Sequence, residues 1–165
     1  MEAQQTPQPQ RSVKLTEEVI EQIYENKSFL EFMSAYFPMA DKAQEELKLP
    51  PEDDEGDTEY KLMLCDCTLL TLEHRKTQMN TRIAAGHGTC FYQIGVHDSG
   101  QVWGIEDEQI LESLMTLWHI SQSHKYRTKV EMVRVRRGLH GMSCMVKIQS
   151  EQKMTGIELV FADIH

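Results

Sequence analysis

The sequence predicts an α+β domain, with two helices packed on one face of a mixed or mainly antiparallel sheet and a helical extension before it. Three observations lead there. Apolar residues alternate in Tyr60-Lys61-Leu62-Met63-Leu64 and again at Cys144, Val146 and Ile148, the period of extended chain. Helical spacing instead joins Leu72, Lys76, Met79 and Ile83, and joins Ile110, Leu111, Leu114, Leu117 and Trp118. Finally, the turn string Asp98-Ser99-Gly100 separates two extended runs.

At 165 residues the chain has room for one such domain and an extension. Residues 1–12 are polar and lack apolar periodicity, so they read as a disordered tail. Residues 13–50 read as the helical extension. Thr16 is the N-cap of a first helix carrying Val19, Ile20, Ile23 and Tyr24, and Ser28 with Glu31 forms the capping box of a second carrying Phe29, Phe32, Met33, Tyr36 and Phe37. A third piece over 41–49 stops at Pro50-Pro51. Glu52, Asp53, Asp54, Glu55, Asp57 and Glu59 then repel one another, so residues 51–58 read as an acidic linker.

The α+β domain occupies 59–165. Its expected elements are a strand at 60–64, a helix at 71–85 with Gly86 as its left-handed cap, and a hairpin of 91–96 with 101–105. A second helix follows, capped by Asp107 and running to His124, and then strands at 130–136, 143–149 and 157–162. The order β-α-β-β-α-β-β-β resembles a ferredoxin-like sandwich with extra strands.

No stretch approaches the roughly 18 uncharged apolar residues a membrane helix requires, so no membrane partner is expected. Cys65, Cys67, Cys90 and Cys144 read as buried thiols in a reducing, cytoplasmic setting. The formal charge of −9 opposes general attraction to a polyanion unless positive charge is gathered on one face. One cluster does gather: Lys125, Arg127, Lys129, Arg134, Arg136 and Arg137. Alternation in Val133-Arg134-Val135-Arg136 puts both arginines on one strand face, either as solvated charge guarding the sheet or as a salt-sensitive contact to RNA phosphate, the ribosome or an acidic partner.

No catalytic, cofactor-binding or metal residue emerges. Cys65-x-Cys67 is too short for a zinc knuckle and has no second ligand pair at a recognisable distance; His87-x-x-Cys90 and His140-x-x-x-Cys144 could meet it in space as a Cys/His set, but buried or half-buried thiols are the preferred reading. Glu106, Asp107 and Glu108 suit the start of a helix. Gly86, Gly88, Gly95, Gly100 and Gly104 do not have dinucleotide-binding spacing, and they read as cap, turn and close-packing positions. Trp103 and Trp118 both read as core.

Thr77-Gln78-Met79-Asn80-Thr81-Arg82, Gly86-His87-Gly88, Tyr92-Gln93-Ile94-Gly95-Val96-His97-Asp98-Ser99-Gly100 and Trp103-Gly104-Ile105 together resemble the domain that precedes the G domain in GTP-binding protein 1 and 2, a family of elongation-factor-like GTPases. The resemblance runs from Glu59 to the C-terminus and is clearest from Thr77 to Gly104. It implies a non-catalytic accessory domain cut before the P-loop, with 157–162 as the strand that would lead into the G domain. No Gly-x-x-x-x-Gly-Lys-Ser/Thr string occurs, and Asn26-Lys27-Ser28-Phe29 has Phe where a guanine reader needs a carboxylate, so no GTPase site is assigned here. Enzyme activity is expected only if the native protein continues past His165. For such a parent the resemblance implies GTP and magnesium as cofactors, GTP hydrolysis, and work in translation or mRNA surveillance. The implied partners are its own G domain, the ribosome or RNA. The Ile94-Gly95-Val96 hairpin also resembles the AlbA-type domain of Schlafen-like proteins, without their Asn-rich helix end. The alternative is a stand-alone RNA- or protein-interaction module using the basic strand at 125–137.

Overall fold

The computed structural model describes residues 13–14, 16–18, 21, 39–40, 48–65, 67–135 and 141–151. The tail, most of the helical extension, Arg136, Arg137 and the expected strand at 157–162 lie outside the described residues. Of the first expected helix, Glu17, Glu18 and Glu21 are described, and they are helical.

The elements run β1 (Val13–Lys14), β2 (Met39–Ala40), β3 (Thr58–Lys61), α1 (Leu69–Ala85), β4 (Thr89–Ile94), α2 (Asp107–Ser123), β5 (Tyr126–Val135) and β6 (Met142–Ser150). They form one mixed sheet in the order β1-β5-β6-β4-β3, with β2 also paired to β5. Strands β3 and β4 are parallel, as the crossover through α1 requires, while β6 is antiparallel to both β4 and β5. Both helices pack on one face and touch each other. The architecture is α+β and consistent with a ferredoxin-like fold.

Strand register explains why that face is apolar. Cys90, Tyr92 and Ile94 of β4 stand opposite Ile148, Val146 and Cys144 of β6, and Val146 and Cys144 in turn face Val130 and Val133 of β5. Met79 and Ile83 from α1 and Ile110, Leu114, Leu117 and Ile120 from α2 close over this layer. A β-bulge at Glu131 makes the pattern possible. Val130 and Val133 are three apart, so strict alternation would send one of them to the wrong face, and the extra residue restores both to the core.

Several boundaries differ from expectation. Val13–Lys14 is a strand on β5 rather than the start of the helical extension. Helix α1 begins two positions early because Thr68 Oγ1 accepts the Thr71 N–H at 3.2 Å. Gly86 is not left-handed: its φ is −94°, and His87 and Gly88 take the positive values instead. Glycine is needed there for space, since a Cβ would lie 1.8 Å from the Thr89 carbonyl oxygen. In the hairpin, residues 101–105 do not form a strand. Their pairing is limited to isolated bridges of Gln101 with Lys48, Val102 with Val96, and Ile105 with Met142. The N-cap of α2 is Glu106 rather than Asp107, and its own N–H donates to Gln109 Oε1 at 3.0 Å.

Candidate interaction surface

The face of the sheet opposite the helices carries the residues whose parity the core does not use. Register sorts them into rows running across the strands. Tyr60, Gln93, Met145 and Met132 form one, and Thr58, Phe91, Lys147 and Lys129 the next, with Lys14 occupying the following register position. Thr89, Gln149 and Arg127 make a third. Phe91, Lys129 and Lys147 are each half-buried.

Of the six basic residues predicted to form a surface, the four that the structure describes do not make one patch. Lys125 is exposed in the turn after α2, at a positive φ of 60°. Arg127 is exposed and its Nε donates to Glu151 Oε1 at 3.1 Å. Lys129 faces Lys147 across β5 and β6. Arg134 lies on the predicted side of its strand but is buried, with Nη1 donating to Gln93 Oε1 at 3.0 Å, and burial lowers its pKa. It therefore offers no surface charge. Phe91 and Lys147 were not singled out because they lie on other strands, and only register brings them beside Lys129.

The acidic run is not a free linker. Its carbonyls at Asp53 and Gly56 accept from Arg82 Nη1 at 2.6 and 2.7 Å, and Arg82 Nε donates to buried Glu59 at 2.8 Å. Lys61 Nζ lies 3.1 Å from the other Glu59 oxygen. Burial pulls the Arg82 pKa down, but the hydrogen bond and charge of Glu59, with Glu52 beyond, leave it raised. One guanidinium thus ties the acidic run to the domain and offsets part of the repulsion that the sequence alone leaves unopposed. The same segment covers part of the open face: the Tyr60 hydroxyl donates to the Pro50 carbonyl at 2.8 Å, and Leu49 packs on Tyr60, Val96 and Val102. Gly100, at φ 93°, permits the approach, since a Cβ would lie 2.0 Å from the Leu49 oxygen.

Burial raises the pKa of both Cys90 and Cys144 to about 12, which makes them inert packing thiols, whereas Cys65 and Cys67 are half-buried. Among the described residues no group of three His, Cys, Asp or Glu side chains converges. Trp118 packs against the core as predicted, but Trp103 does not: it is 46% exposed and stacks on His97 at 5.0 Å. Two neighbouring leucines at the start of α1, Leu69 and Leu70, are 85% and 71% exposed.

Comparison with known proteins finds two curated relatives called GTP-binding protein 2, from Homo sapiens and Mus musculus, each 41% identical over 81 residues. The matched stretch is 49% of this chain but 14% of the length of either relative. An uncharacterized protein of Acanthamoeba polyphaga mimivirus is 33% identical over 73 residues, which is 44% of this chain and 39% of that protein. No family model matches. The identity to GTP-binding protein 2 supports a GTP-binding protein 1/2-like relationship.

Proposed function

We propose that this chain is a non-catalytic accessory domain of the GTP-binding protein 1/2 type, acting by packing against a GTP-binding domain rather than by chemistry of its own. The observation that carries the reading is the 41% identity over 81 residues to GTP-binding protein 2. The sequence contains neither a phosphate-binding Gly-x-x-x-x-Gly-Lys-Ser/Thr loop nor an Asn-Lys-x-Asp base reader, in keeping with a supporting role. Leu69 and Leu70, exposed side by side on the first turn of α1, offer an apolar contact for such a domain. GTP, magnesium and any work on ribosomes or mRNA in the cytoplasm belong, in this reading, to the protein of which such a domain forms part.

The test is calorimetric titration of residues 1–165 with the GTP-binding domain of human GTP-binding protein 2. Saturable association that weakens at least about tenfold in Leu69→Glu/Leu70→Glu, roughly 1.4 kcal/mol, is expected. Absence of association refutes the reading. So does saturable binding of a fluorescent guanine nucleotide by residues 1–165 alone.

A further inference from the structure

We propose that the sheet face opposite the helices binds single-stranded nucleic acid along the row formed by half-buried Phe91, Lys147 and Lys129, with one base stacked on Phe91 and the backbone phosphates over the lysines. This goes beyond the accessory-domain reading and does not rest on it. Lys147 and Lys129 stand directly opposite each other on antiparallel strands, and like charges in that position destabilise a sheet. Among the described residues neither lysine has an acidic partner, although the chain carries 26 acidic residues. With strands about 4.8 Å apart, the positions of Phe91, Lys147 and Lys129 on three neighbouring strands span roughly 10 Å across the sheet.

The same row contains Phe91, paired with Lys147 on its other side and half-buried. That juxtaposition selects the partner. An acidic peptide would satisfy the lysines but has no use for an adjacent aromatic plane, whereas single-stranded nucleic acid offers a phosphate and a stackable base in each unit. Thr89, Gln149 and Arg127 in the next row extend the polar surface. A net charge of −9 opposes contact of a polyanion with the rest of the molecule, which confines binding to this face.

The experiment is fluorescence anisotropy of a labelled oligouridine of about 12 nucleotides with the full chain. Titrations at about 50 and about 200 mM salt compare wild type, Lys129→Gln/Lys147→Gln and Phe91→Leu, each first checked for folding by circular dichroism. The lysine variant is expected to bind about tenfold more weakly at low salt, with a log–log salt slope shallower by about 1.4. Phe91→Leu is expected to lose about tenfold with the slope unchanged. If it does not fold, the lysine variant and the Lys147→Arg rescue carry the test, and failure of Lys147→Arg to retain affinity counts against the proposal. An oligothymidine arm separates the two sources. Binding of both strands assigns the site to phosphate and base alone, and binding of RNA only adds a ribose contact, and either result supports the proposal. It is overturned if folded wild type does not bind, if affinity survives either variant, if duplex binds as well as single strand, or if polyglutamate competes equally.

Discussion

Arg82→Met is the perturbation whose consequence the structure specifies most closely. Arg82 is 4% exposed and Glu59 is 2% exposed, joined at 2.8 Å. Removing one member of a buried ion pair leaves the other uncompensated, at about 3–5 kcal/mol. Lys61, 3.1 Å from Glu59, offsets part of this, while loss of the hydrogen bonds to Asp53 and Gly56 adds about 1 kcal/mol, because those carbonyls sit in an exposed segment that water can rehydrate. The expected net loss is about 3–4 kcal/mol, or a fall in Tm of roughly 6–16 °C for a chain of this size. Urea unfolding followed by circular dichroism at neutral pH measures it. Adding Glu59→Gln to Arg82→Met removes the stranded charge and should restore part of the stability. A loss below about 1 kcal/mol, or no recovery in the double variant, would show that the pair is not the anchor described here.

Other outcomes follow from single contacts. Ser113→Ala should cost about 1–2 kcal/mol in the same assay, because Ser113 Oγ accepts the buried Leu64 N–H at 2.9 Å and an alanine leaves that donor unsatisfied. Of the four thiols, Cys65 and Cys67 should react with Ellman's reagent in the native protein, while Cys90 and Cys144, raised to about 12, should react only after denaturation. Burial, against the backbone hydrogen bond from Tyr60, raises the Glu52 pKa above the ordinary glutamate value of 4.5. The folded carboxyl therefore holds its proton to higher pH than the unfolded one. The contribution of this group to stability accordingly falls as pH rises from 4.5 through the raised value, and Glu52→Gln should flatten that part of a stability-against-pH curve.

The helices were readable because their signal is local. Met79 and Ile83, or Ile110, Leu114 and Leu117, repeat at helical spacing whatever lies opposite them. Strand β5 was only half readable: the alternation of Val133 with Arg134 is visible, but Val130 breaks it, and the bulge at Glu131 that reconciles them exists only in relation to β6. Arg134 looked like a surface charge because its partner Gln93 is 41 positions away. The acidic run looked like a linker for the same reason, since Arg82 lies 29 positions from Asp53. The basic cluster named six residues of one stretch, whereas the row on the open face draws on three strands and includes Phe91 and Lys147. Sequence neighbourhood shows charge along a strand; it does not show charge across a sheet.

The docked acidic segment also bears on how this molecule stays apart from its copies. Strand β3 ends the sheet, and among the described residues no strand lies beyond it. A parallel edge of this sort displays unpaired amides that a neighbouring chain can adopt as a template. Here the edge is four residues long, the outward Tyr60 N–H is taken by the Glu52 carboxylate, and the exposed Asp53, Asp54 and Glu55 follow Glu52 directly in the chain. Strand addition would have to displace a carboxylate and approach through a screen of negative charge. Chains truncated between Glu52 and Thr58 would present that edge bare, and they should be prone to edge-to-edge association during expression and refolding even where the core itself is intact.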